Sequence, residues 1–179
     1  MRRLFALVML VALLVALLPV AVSAHTATDL LYAKLIAGQT EYVGHVIIWN
    51  DSTNLHVTLQ AKFGHLGYCL KETHLHVATS LKDIPQTKKG NPIPGRFDYK
   101  DDDLGCIHEW EYIIPLGDWE PGTLLFLAAH AVVGNRFDPD WEETGWGVIC
   151  GQITEFPFGG RNWATYIPYT VQQIDPPAD

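Results

Sequence analysis

The sequence predicts an all-β protein, an antiparallel β-sandwich or jelly roll with an extended N-terminal arm. Three observations favour this class: short segments rich in β-branched and aromatic residues, turn-forming residues between them, and no convincing helical periodicity after residue 40. The 11 prolines agree, because proline suits loops and strand ends better than helices. With 179 residues, the chain has room for one domain of ordinary size.

Seven segments have the composition of strands, with many Val, Ile, Thr, Tyr and Trp residues. They are residues 41–49, 55–62, 69–78, 107–114, 124–133, 146–153 and 162–172. Turn-forming residues separate them at 50–52, 91–95, 116–118 and 159–160. We therefore expect residues 39–179 to form the sandwich domain.

The first 24 residues have the layout of a secretory signal peptide. Two arginines precede an apolar run from Leu4 to about Val22, and small residues follow it up to Ala24. A retained membrane anchor is the alternative, because the run is long enough to cross a bilayer. Cleavage fits Pro19 and the small residues better, so we expect a secreted, extracellular protein with no membrane segment in its mature form. Removing Arg2 and Arg3 changes the net charge from -8 to -10.

Residues 25–38 form the predicted N-terminal arm. Residues 29–36 are too short for a trusted helix, yet they are more apolar than a free tail requires. Laid along a sheet edge of a neighbouring subunit, this segment would satisfy unpaired backbone groups and bury its side chains. It can equally be the first strand of its own domain. The apolar side chains are Leu30, Leu31, Tyr32, Leu35 and Ile36.

The three cysteines fall in the exported part, where disulfides persist. One bond plus one free or intermolecular thiol is the simplest arrangement, and the sequence leaves all three pairings open. Their spacing lacks a Cys-x-x-Cys unit, which disfavours a cysteine zinc site. The cysteines are Cys69, Cys106 and Cys150.

Composition excludes several classes of function. Only 18% of residues are charged and 48% are hydrophobic, so the chain is not disordered. A net charge of -8 without a long basic cluster disfavours nucleic-acid binding. With three serines, no Gly-x-Ser-x-Gly and no His-Glu-x-x-His, hydrolytic catalysis lacks its usual residues. We therefore expect a protein that is not an enzyme.

Two acidic stretches, interpreted as loops, are candidate calcium sites. Carboxylate oxygens at high density suit Ca²⁺, which accepts six to eight oxygen ligands in flexible geometry. A solvated acidic surface is the alternative for each stretch. The candidate ligands are Asp98, Asp101, Asp102 and Asp103 in the first stretch and Asp138, Asp140 and Glu142, followed by Glu143, in the second.

A transition-metal site is the alternative metal hypothesis. Strand alternation places Glu72, His74 and His76 on one face, and His130 is a possible further ligand. These residues would give a cupin-like, metal-dependent enzyme. The competing interpretation is that the histidines pair with neighbouring carboxylates or carbonyls, and it is favoured because a second ligand cluster is not evident.

A secreted carbohydrate-binding module is a further alternative. Tryptophan rings can stack on sugars, although they more often fill a core or an interface. The six tryptophans are Trp49, Trp110, Trp119, Trp141, Trp146 and Trp163.

Several short strings carry a resemblance to a known family. They are LIAGQT at 35–40, VGHV at 43–46, ETHLHV at 72–77, KGNPIPG at 89–95, AAHAV at 128–132, ETGWG at 143–147 and RNWATY at 161–166. The chain resembles a family of secreted archaeal and bacterial proteins, and within it the cannula-forming proteins of hyperthermophilic archaea, which build extracellular tubules. The three cysteines do not map onto that family's pattern.

The resemblance implies a β-sandwich subunit that assembles with copies of itself into tubules or filaments. It also implies that calcium promotes the contacts and that the N-terminal segment is donated to a neighbour. Charge supports a role for calcium independently, because subunits near -10 repel one another and cations bridging acidic groups would remove that penalty. We therefore expect an extracellular structural homopolymer with calcium as its cofactor.

Overall fold

The all-β, antiparallel fold predicted from the sequence is confirmed. The computed structural model describes residues 29–149 and 156–174. In these ranges the chain forms nine strands and two short 3-10 helices, Leu81–Asp83 and Pro94–Arg96. The strands are β1 (Leu31–Ala37), β2 (Glu41–Asn50), β3 (Asn54–Ala61), β4 (Tyr68–Ala78), β5 (Tyr99–Asp101), β6 (Glu109–Pro115), β7 (Leu124–Asn135), β8 (Asp138–Val148) and β9 (Ile167–Thr170).

All nine strands belong to one nearly closed sheet. Their order is β5-β4-β7-β8-β1-β2-β3-β6, and β9 pairs with the first part of β7. The two ends of the sheet meet where Leu70 and Ile107 exchange backbone hydrogen bonds of 2.9 and 3.1 Å. A disulfide between Cys69 and Cys106 lies directly beside this contact. One of the three possible pairings is thus selected, while Cys150 lies outside the described residues.

Side-chain alternation along the strands fills the interior of the sheet. In β3, Val57, Leu59 and Ala61 are buried in the main core, whereas Thr58 and Gln60 between them are half-buried. The same period of two places aliphatic residues from β1, β2, β4 and β7 in this core. The interior is therefore a packed aliphatic core.

A second, smaller core covers the outer face of β4, β7 and β8. Ala128 and Trp146 on that face pack with Ile84, Phe97 and Phe158 from the connecting segments. This layer explains why outward-facing residues of β4 and β7 are buried even though they point away from the main core. His74, His76 and His130 lie on this covered face.

The predicted N-terminal arm contains strand β1. In the single chain, β1 lies between β2 and β8, and Ala33, Leu35 and Ala37 are part of the main core. Its pairing with β8 covers only Lys34 to Ala37, so the first half of β1 is paired along β2 alone in the described ladders. Donation to a neighbouring subunit concerns assemblies and stays a prediction.

The second acidic stretch is not a loop, and that interpretation was wrong. Residues 138–143 form the first half of β8, because the chain reverses at 135–138 and pairs immediately with β7. The Asn135 side chain stabilises the reversal by accepting a hydrogen bond of 2.9 Å from the Phe137 backbone N–H.

Other boundaries differ less. The predicted strand at 162–172 shortens to β9, and the predicted strand at 146–153 begins earlier, at Asp138, and is followed as far as Val148. Residues 1–28, which include the predicted signal peptide, lie outside the described residues. Within residues 29–149 and 156–174, no helix is long and apolar enough to cross a membrane.

Candidate metal centre

Three strands bring the histidines of the covered face together. His74 of β4 is directly opposite His130 of β7, which in turn is opposite Trp146 of β8. The three side chains share one face because directly paired residues on antiparallel strands point the same way. His74 is 5% exposed and His130 is 7% exposed. The ring of His130 packs edge-on against Trp146, with centroids 4.8 Å apart.

The two imidazoles are joined by one hydrogen bond between their Nδ1 atoms, which are 3.2 Å apart. Burial, with a smaller contribution from the charge of His74, lowers the pKa of His130 to about 3. His130 is therefore neutral at physiological pH and can either donate or accept through Nδ1. Whether His130 donates or accepts depends on which nitrogen of His74 carries a proton.

The other nitrogen of His74 contacts a carboxylate. Its Nε2 lies 2.8 Å from Oδ1 of Asp102, which follows β5 in the chain. One ligand atom each from Glu72, His74 and Asp102 lies within 4.8 Å of the other two. In the described part of the chain this is the one group of three or more such residues that could hold a metal ion.

Two proton arrangements satisfy this network. In the first, His130 donates through Nδ1, and His74 is an Nε2–H tautomer that donates to Asp102. In the second, His74 donates through Nδ1 to His130, and its Nε2 lone pair faces the Asp102 carboxylate. The second arrangement needs a cation at Nε2, either a proton that makes His74 an imidazolium or a metal ion, because a lone pair beside the Asp102 carboxylate is repelled. If a metal ion bound at Nε2, His130 would be the outer partner that orients His74.

His76 has a separate environment. Its Nδ1 is buried without a hydrogen-bond partner and lies 3.4 Å from Oδ2 of Asp98, and its ring packs on Phe97. Burial lowers the pKa of His76, and the charge of Asp98 opposes this shift. Four residues were predicted as transition-metal ligands. Glu72 and His74 belong to the cluster, and His76 does not. His130 is hydrogen-bonded to His74 without being part of the cluster.

The predicted calcium residues are divided by the fold. Asp102 belongs to the cluster, whereas Asp101 caps its own turn by accepting a 3.2 Å hydrogen bond from the Asp103 backbone N–H. In the second stretch, Glu142 forms a 2.7 Å ion pair with Lys71, and Asp138 and Asp140 are exposed on β8. The sequence offers the acidic loop and the histidine strand as alternative metal sites. In the structure, Asp102 of the acidic loop lies beside Glu72 and His74 of the histidine strand.

A second histidine network was missed from the sequence. His56 stacks on Trp49 with ring centroids 3.9 Å apart, and its two nitrogens lie 3.1 Å from Asp51 and from Glu111. Backbone and side-chain hydrogen bonds from Thr53, together with His56 and Asn54, hold the pKa of Asp51 well below its ordinary value, against the effect of burial. Because the carboxylates flank opposite nitrogens of the ring, this arrangement clamps His56 and leaves no nitrogen free for a metal.

The stability of the protein is expected to decrease in acid because of His130. Its pKa of about 3 in the folded state is below the ordinary 6.5, so the unfolded chain binds the proton first as the pH falls. Between pH 7 and pH 5 this group alone removes about 2 kcal/mol from the free energy of unfolding. Urea titrations in EDTA at several pH values measure the slope, which should be smaller in His130→Gln. An equal slope in both proteins contradicts the assignment.

Comparisons with known proteins found no matching family model, no matching curated protein and no matching solved structure. The site is therefore interpreted from its own chemistry, which is a nitrogen and two carboxylate oxygens at the rim of a β-sheet.

Proposed function

We propose that this chain is an extracellular structural protein whose copies associate when a divalent cation binds at Glu72, His74 and Asp102. The observation that carries the proposal is the convergence of these three ligands within 4.8 Å. The Asp102 side chain is 59% exposed, so the site opens at the protein surface. A cation held there has coordination positions left for water or for a group from a second copy.

Charge supports a role for the cation in association. The mature chain would carry about ten more acidic than basic groups, and the acids of β8 and of the β5 turn are mostly exposed. Bringing two such surfaces together raises the electrostatic free energy unless cations neutralise part of the charge. Calcium is the cation proposed for the exposed carboxylates, because it prefers oxygen ligands and tolerates irregular geometry.

The first half of β1 supports association through a strand edge. Leu30 and Tyr32 are 48% and 56% exposed, and the described β8 ladder stops short of them. An additional strand could satisfy backbone groups here and cover these side chains. In this hypothesis, residues 25–38 of one copy, or another strand of that copy, would pair with the next copy.

A metal-dependent enzyme is the second candidate. It is favoured by one observation, the open side of a site with three protein ligands, which is typical of catalytic rather than structural metal sites. Among the described residues, the main core is formed by aliphatic and aromatic side chains and holds no second group of metal-ligating residues. Activity would therefore have to arise at the surface rim rather than inside the sheet.

The test is the mass of the mature chain in solution, measured by multi-angle light scattering in EDTA and then with added Ca²⁺ or Zn²⁺. We expect monomers in EDTA and larger species with cation, reversed by chelation. The double variant Glu72→Gln/Asp102→Asn should require more cation to associate, and Asp118→Asn/Glu120→Gln, which removes two exposed carboxylates outside both acidic stretches, is the matched control. A monomer at every cation concentration would overturn the proposal.

Deleting residues 25–38 is not a clean test of the strand edge, because it removes β1 from the centre of the sheet. Tyr32→Lys places a charge at the exposed edge and leaves the core side chains of β1 intact. If association uses this edge, the variant stays smaller than the parent protein at equal cation concentration.

A further inference from the structure

A cavity formed by described residues lies away from the candidate metal centre, and none of its lining residues belongs to that cluster. It has a volume of about 450 Å³ at the end of β3, where the chain leaves the sheet towards β4. We call it the His45 pocket. The side chains that matter to its chemistry are His45, Gln60, Lys62, Phe63, His65 and His108.

The His45 pocket is positive in a protein that is otherwise acidic. Its lining residues include Lys62 and no carboxylate, although the lining residue Gln60 donates a 3.1 Å hydrogen bond to Glu109. Lys62 lies 3.3 Å above the ring of Tyr42, whose hydroxyl is hydrogen-bonded to His45. Lys34 approaches the same ring, at 5.3 Å. Arg136 lies 4.4 Å from the ring of the lining residue Phe63 and donates a 2.8 Å hydrogen bond to the Gly64 carbonyl. One cation, Lys62, therefore lines the cavity, and Lys34 and Arg136 lie behind its lining residues.

These cations also influence His45. Burial lowers its pKa, and the charges of Lys62 and Lys34 lower it further. The direction of the two charge effects agrees with a positive potential inside the cavity. A bound anion would reverse that potential and would be held where protein walls reduce screening by water.

The remaining lining groups suit a hydroxylated ring. Phe63 and His108 have ring centroids 5.9 Å apart with planes tilted by 56°, and together they give an aromatic wall. The Gln60 amide and the imidazoles of His65 and His108 supply hydrogen-bonding groups. A cavity of this size falls in the range that accepts small organic ligands and is larger than a simple inorganic anion requires.

From this combination we propose that the His45 pocket binds a carboxylate-bearing saccharide, an acidic sugar of one or two rings. Lys62 binds the carboxylate, Phe63 and His108 contact the apolar face of the ring, and Gln60 with His65 binds hydroxyl groups. The site does not use the tryptophans considered from the sequence, and it is independent of the proposed cation-driven association.

Isothermal titration calorimetry of the mature chain in EDTA tests the proposal with three probes: digalacturonate, the neutral galactose disaccharide of the same linkage, and acetate. Digalacturonate should bind at least about tenfold more tightly than the neutral disaccharide, as expected for loss of a charged hydrogen bond. Acetate at equal concentration should not displace it, because acetate lacks the ring contacts. The ring signals of His45 and His108 in NMR spectra should shift on binding and so locate the ligand.

Lys62→Gln should weaken digalacturonate binding about tenfold or more and leave the neutral disaccharide unaffected. Lys89→Gln, at an exposed position in a distant turn, is the matched control and should change neither affinity. His108→Gln is a second variant that removes one ring of the aromatic wall and should weaken binding of both disaccharides. No binding of digalacturonate, equal binding of both disaccharides, displacement by acetate, or an unchanged affinity in Lys62→Gln would each overturn the proposal.

Discussion

Replacing both Cys69 and Cys106 by alanine is expected to lower the free energy of unfolding by about 4 kcal/mol. The bond links positions 37 residues apart, so it removes much of the conformational freedom of the unfolded chain. It also lies at the seam where Leu70 pairs with Ile107 and the sheet closes on itself. Loss of the constraint on the unfolded chain and loss of the link at the seam both lower the free energy of unfolding. Urea denaturation at neutral pH, with and without reductant, measures the loss.

The reductant provides the internal control for this prediction. Dithiothreitol should destabilise the parent protein by a similar amount and leave the double alanine variant unchanged. If the variant stays within about 1 kcal/mol of the parent, the Cys69–Cys106 bond does not stabilise the seam. Equal sensitivity of both proteins to reductant would mean that the reductant acts through Cys150, the one cysteine left in the variant, and so through a bond between copies.

The fold class could be predicted from the sequence because strand period and turn composition are local signals. In β3, apolar residues alternate with polar ones, and the pattern indicates a strand with one buried face. Strand period and composition were less informative for residues 138–143, because the closely spaced acidic residues there resemble a loop. This segment nevertheless pairs with β7. Pairing with a distant strand overrides local composition there. The disulfide was likewise open, since spacing alone does not determine which cysteines meet.

The candidate metal centre could be predicted only in part, for the same reason. Alternation along β4 places Glu72 and His74 on one face, and this is a local signal. The third ligand, Asp102, reaches the cluster only because β5 pairs with β4, with Asp101 opposite Thr73. A three-residue strand leaves almost no trace in the sequence. The exclusion of His76 depends on its contacts with Phe97 and Asp98, which are also tertiary.

Replacing the residues of the candidate metal centre is expected to have the largest effect on cation binding. The double variant Glu72→Gln/Asp102→Asn keeps the shape of both side chains and removes both negative charges. His74→Ala removes the nitrogen ligand. We expect each variant to weaken Zn²⁺ binding by at least about 100-fold in calorimetric titrations of the chelator-treated protein, since even outer partners of metal ligands change affinity about 10- to 100-fold.

The two variants separate calcium from transition metals at the same site. Zn²⁺ uses the imidazole nitrogen, whereas Ca²⁺ prefers oxygen, so His74→Ala should change Ca²⁺ affinity only a few-fold while the carboxylate variant loses both ions. The Asp51→Asn/Glu111→Gln pair is a demanding control, because it also removes two carboxylates that contact one histidine, His56. Those carboxylates face opposite nitrogens and cannot share an ion, so the control should leave Zn²⁺ affinity unchanged. Equal Zn²⁺ affinity in the parent, the carboxylate variant and His74→Ala would exclude this cluster as the binding site.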